Sequence, residues 1–309
     1  MASIENSAKS PAAVLAALYC FSAGPVGFAI QKYLTAWFSP AAIIAVQMTI
    51  GAAALWAVML LLPAQRVSLS DRLKPFAVGI IHPGIFMITF TTASRNLDGV
   101  TLILLSAFMP AVVGLAARVF LGEPLKATTF LGMGVGFAGL LLVISERQMT
   151  GESSLAGYVT ALLALSLAAC GQLIGRALHT RSNVPWTVVA TMQLSGAAVV
   201  AWGAALVSGV GIGMDDIGEH WVAFGYIGLV ATAGGYFAYN FALSKMPVLQ
   251  LGLISSIGPA AGAVAAAVIF DSPFGVRTAG GVALIIAGTA LPGLFALLRE
   301  RTAFRLNGG

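Results

Sequence analysis

Ten apolar blocks divide this chain, at about 12–32, 40–62, 75–94, 99–120, 127–145, 154–177, 185–208, 221–243, 247–270 and 276–298. Crossing a bilayer takes about 20 residues of helix, and each block is long enough. The blocks lack apolar/polar alternation and are about twice the length of a barrel strand, so helices are expected. Charged residues make up only 9% of the 309, where a soluble domain carries about 25%. A surface so poor in charge suits lipid. The leading "MASIENSAKSP" has one lysine and the first block exceeds a signal-peptide core, so that block is taken as a helix of the mature protein. The expected fold is an all-α integral membrane protein with ten transmembrane helices.

Ten spans put both termini on one face. With the loops of that face they carry Lys9, Arg66, Arg72, Lys74, Arg118, Lys126, Arg176, Arg181, Lys245, Arg299, Arg301 and Arg305. The opposite face carries Lys32, Arg95, Arg147 and Arg277. Lysine and arginine gather in short cytoplasmic loops. The 12-to-4 split therefore predicts cytoplasmic termini and a multi-pass protein of the cell inner (plasma) membrane. "GVGIGMDDIGEH" at 209–220, on the opposite face, has three acids and no lysine or arginine. The net charge of +5 is scattered singly between spans, a topology signal and not a nucleic-acid patch. Cys20 and Cys170 stand alone within spans, without disulfide or zinc spacing.

The chain repeats itself. "LLSAFMPAVVG" at 104–114 returns as "LISSIGPAAGA" at 253–263, pairing Ser106 with Ser255 and Pro110 with Pro259 at an offset of 149. Pro124 with Pro273, Gly132 with Gly281 and Gly139 with Gly288 continue the match. At an offset of 146, "QMTIGAAALW" from Gln47 to Trp56 matches "QLSGAAVVAW" from Gln193 to Trp202. Two halves follow, 1–150 and 151–309, each with five spans. Five is odd, so the second half enters the membrane from the opposite side. Inverted repeats recur in secondary transporters, which hold solute near the midplane between repeats.

"GEP" at 122–124, after the proline-bearing span and before a glycine-rich one, resembles the drug/metabolite transporter superfamily, and within it the ten-helix group built of two EamA-type halves. More narrowly, the chain looks like aromatic amino acid exporters of the YddG type. The second half departs from the pattern, with "DSP" at 271–273 placing Ser272 where the first has Glu123. Many members carry arginine near the start of span two, where this chain has Gln47. The resemblance implies an exporter of aromatic and other neutral amino acids, with a cavity lined by spans three, four, eight and nine. A multidrug or nucleotide-sugar carrier of the same superfamily is the alternative.

The breaks carry the chemistry. Proline has no N–H, so the carbonyl four residues upstream loses its helical partner, and lipid cannot replace it. Pro110 and Pro259 free the carbonyls of Ser106 and Ser255, beside the hydroxyls of Ser106, Ser255 and Ser256. "HPG" at 82–84 breaks span three and puts His82 at depth. "GGYFAYNFAL" at 234–243 places Tyr236, Tyr239 and Asn240 in span eight, with Tyr236 and Asn240 on one helical face. Gln47 and Gln193 are secondary candidates, equally suited to capping or to bonding between helices. No aspartate or glutamate lies in the middle of a span, so a cationic substrate and carboxylate-borne proton coupling are disfavoured. "GVGFAG" at 134–139 fits a dinucleotide fingerprint but follows no strand; Gly132 and Gly136 suit helix packing instead. No catalytic constellation, metal site or cofactor is expected. The expected partners are a small-molecule substrate and the bilayer, with the protein a monomer or homodimer and no nucleic acid bound.

Overall fold

A computed structural model describes residues 11–63, 65–106, 109, 112, 115, 119, 127–147, 153–181, 184–209, 214–245, 254–255, 257–271 and 275–307. The helices are α1 Pro11–Leu34, α2 Pro40–Leu61, α3 Leu69–Ser94, α4 from Gly99–Ser106, α5 Ala127–Arg147, α6 Leu155–Arg181, α7 Trp186–Val207, α8 Trp221–Lys245, α9 Gly258–Ile269 and α10 Val276–Asn307. A short helix, Met214–Glu219, precedes α8. No strand occurs among the described residues. Apolar side chains such as Leu60, Leu61, Val207 and Val268 stay exposed along the helices, as lipid-facing residues do.

Local sequence sets the helix ends. Ser39 caps α2, its hydroxyl accepting from the Ala42 N–H with Pro40 opening the first turn. Ser68 caps α3 in the same way through the Asp71 N–H. Asp98 caps α4, accepting from the Thr101 N–H while its second oxygen accepts from Ser153 Oγ at the start of α6.

The ends of the helices establish the topology. Lys32 at the end of α1 donates to the carbonyls of Ser94, ending α3, and Leu97 just beyond it. Its ammonium lies 5.7 Å from the ring of Phe270, just after α9. Phe270 in turn packs on Gly99 at the start of α4. The ends of α1, α3 and α9 thus meet at the start of α4, so α9 runs opposite to its repeat equivalent α4. This is the far face, opposite the termini, and the two five-helix repeats are inverted.

Helix contacts obey the repeat. α3 packs on α6 and α7, while their counterparts α8 and α1, and α8 and α2, also pack together. Among the described residues three interfaces pair a helix with its own counterpart, α2 with α7, α4 with α9 and α5 with α10. Between α2 and α7, Trp56 Nε1 donates to Ser195 Oγ (3.1 Å) and Trp202 Nε1 to Thr49 Oγ1 (2.8 Å). An offset of 146 turns the first bond into the second. Between α5 and α10, Gly139 lies against the backbone of Gly281, and Gly288 against Gly132 and Gly136. These glycines join the halves. Small residues let backbones meet where lipid gives no hydrophobic drive.

Candidate functional site

Both halves break their third helix. In α3 the turn Ile80–Ile85 is interrupted at His82, whose backbone is non-helical (φ −137°, ψ 111°). Pro83 withholds a donor there, and Gly79 and Gly84 allow α7 to press close. In α8 the turn Tyr226–Gly234 widens to a π-helix without any proline. The Tyr19 hydroxyl of α1 reaches it and donates to the Val230 carbonyl (2.8 Å). Gly234 leaves room for that hydroxyl.

His82, Tyr236 and Tyr239 lie deep in the bundle, yet part of each stays accessible, so they face an internal space. His82 stacks on Phe86 (centroids 5.2 Å apart, planes at 13°), and its ring centre is 6.4 Å from that of Tyr236. Gly171 of α6 seats the His82 side chain from behind. Tyr239 meets Phe21 of α1 edge-on at 6.3 Å. Cys20, also half-buried, lies near both tyrosines. Helix α1 therefore contributes to this space beside α3 and α8, which the sequence pattern did not indicate.

The other sequence-derived candidates distribute differently. Asn240 is buried and donates from Nδ2 to the Tyr236 carbonyl (2.9 Å), so its amide turns toward its own helix. Half-buried Ser106 donates to the Ile103 carbonyl. Ser255 is half-buried in a short helical segment before α9. Pro259 is buried in the first turn of α9, where its missing N–H costs no bond within that helix, and Ile257 ahead of it keeps helical φ and ψ (−73°, −25°). Pro110 and Ser256 lie outside the described residues. A proline in α1, Pro25, was not singled out beforehand. Its missing donor concerns the Phe21 carbonyl, and α9 covers that oxygen with Gly258, where a Cβ would lie 3.0 Å away.

Gln47 is bonded between helices. It accepts from Gln31 Nε2 and donates to Thr232 Oγ1, both at 2.7 Å, and Thr91 Oγ1 contacts Gln31 Oε1 at 3.4 Å. All four are buried. Gln31, Thr91 and Thr232 were missed from the sequence, although a glutamine inside an apolar run is itself a signal, since a buried amide requires partners. Gln193, the repeat equivalent of Gln47, is buried with its backbone against Gly79.

The family model described as the EamA-like transporter family matches residues 10–145 and again 155–293. A crystal structure of another protein superposes with a TM-score of 0.67 at 20% sequence identity, covering 94% of this chain and 100% of its own. At that identity the likeness speaks for the fold alone. No curated protein matches at a significant level.

Proposed function

The chain belongs to the EamA-like transporter family, and from that premise we propose that it carries neutral or zwitterionic amino acids, aromatic ones foremost, by alternating access. Members of the family are transporters and not enzymes, and this chain is a multi-pass membrane protein. The substrate, its mode of passage and the sidedness are our reading. The observation that carries it is the deep, partly accessible group of His82, Tyr236 and Tyr239 with no carboxylate at that depth. Rings with polar tips suit an aromatic solute through ring packing and hydrogen bonds. A solute bearing net positive charge would find no anion to offset its desolvation. The likeness to YddG-type aromatic amino acid exporters points the same way.

Transport is facilitative or an exchange, with cytoplasmic termini in the cell inner membrane, as the 12-to-4 charge split supports. The test is counterflow of labelled solutes in proteoliposomes, comparing tryptophan, phenylalanine, threonine and a quaternary ammonium. Tryptophan and phenylalanine should exchange fastest and the cation not at all. Exchange of the cation or of a nucleotide sugar in their place would reject the assignment.

A further inference from the structure

The buried amide chain cannot serve as a solute site while it is intact, because its polar atoms are spent on one another. Gln31, Gln47 and Thr91 belong to the first half and Thr232 to the second. Each is at most 2% exposed. We propose that this chain fastens the two halves together between the central space and the far face, and that Gln47 and Thr232 are positioning residues whose bond must break before that face opens.

Four observations place the fastening. Gln31 and Thr91 lie within one turn of the far ends of α1 and α3. Thr232 lies four residues before Tyr236, on the far side of it because α8 runs from that face, and on the same helical face. The second tether of this π-helical turn, from Tyr19 to Val230, also comes from the first half. Above the amides, Lys32 is bonded to Ser94 and Leu97 with Phe270 packed over Gly99, so the first half also meets the end of α9 there. Moving α8 away from α2 parts Gln47 from Thr232 and carries Tyr236 with it.

Water decides the energetics. When the far face opens, each broken bond is replaced by one to water and the net change is small. Removing one partner is different. With Gln47 replaced by leucine, Gln31 and Thr232 lose their mutual bridge while buried but are hydrated once open. The closed form alone is penalised, and the population shifts toward the far-open form by about tenfold.

The inference rests on alternating access and not on the identity of the solute. The chain has two cysteines, so Cys170→Ala leaves Cys20, beside the two tyrosines, as the reporter. The full chain is reconstituted in vesicles and a membrane-impermeant maleimide is applied from each face in turn. Gln47→Leu and Thr232→Val should each speed Cys20 labelling from the far face about tenfold and slow it from the termini face. Thr232→Ser, which keeps the hydroxyl, should restore the parental pattern. Half-saturating solute at the far face should fall by a similar factor as maximal exchange falls. The double variant Gln31→Leu with Gln47→Leu, which removes both amides of this cluster, covers the case in which one substitution fails to fold. Unchanged far-face labelling, an equal rise from both faces, or no rescue by serine overturns the fastening. Absence of amino acid exchange by the parental chain overturns the solute assignment and leaves the labelling result to stand.

Discussion

Gly79→Ala tests the close approach of α3 to α7. A methyl carbon at position 79 would sit 2.6 Å from Gln193 Cα and 2.7 Å from its carbonyl carbon, and would also meet the carbonyl oxygen. Ordinary contact starts near 3.4 Å, so the helices must part by at least about 0.8 Å. A gap of 0.5–1 Å forfeits about a quarter to a half of each dispersion contact across it. Overpacking of this kind costs about 1–3 kcal/mol, and alanine returns about 1 kcal/mol of helix propensity. The net loss is about 0–2 kcal/mol. For a chain of this size that lowers the melting midpoint by up to about 8 °C, and sets it about 1–3 kcal/mol below an unobstructed Gly→Ala change. The assay is thermal unfolding in detergent, with Gly203→Ala in α7 as control, since nothing lies within 4 Å of its added carbon. A Gly79→Ala midpoint at or above that of Gly203→Ala refutes the packing.

His82→Ala and Tyr239→Ala should each slow amino acid counterflow about three- to tenfold, the worth of one lost aromatic contact; undiminished rates would remove either residue from the site. Trp56→Phe and Trp202→Phe each delete one cross-half hydrogen bond of about 1 kcal/mol, so equal drops in melting midpoint are expected, and a large inequality would contradict the reciprocal pairing. Counterflow should persist after the pH gradient is collapsed, because no carboxylate sits mid-span; its disappearance with solute loaded at a steep gradient would establish proton coupling.

The architecture was legible because lipid makes a coarse demand. The block at 40–62 became Pro40–Leu61, and the one at 185–208 became Trp186–Val207. Proline and glycine repeats gave the equivalences between halves. They did not give the partners: Trp56 was matched to Trp202, but each bonds to the hydroxyl opposite the other. The widened turn of α8 was invisible because no residue in Tyr226–Gly234 withholds a donor. Its freed carbonyl depends on Tyr19, 211 positions away. Pro259 falls in the first turn of α9, and from sequence alone a proline marks a helix start as readily as a bend. Gln47 showed the limit most plainly. Its polarity required a partner, and which helix supplied it could not be deduced from spacing.

The reciprocal bonds from Trp56 and Trp202 have a mechanical consequence. They lie where the pseudo-two-fold axis passes between α2 and α7, so the operation that exchanges the halves returns the pair to itself. If one access state is the image of the other under that operation, contacts on the axis survive the exchange while those off it trade places. The indoles then mark a pivot, about which each half can rock without the protein ever letting go of itself.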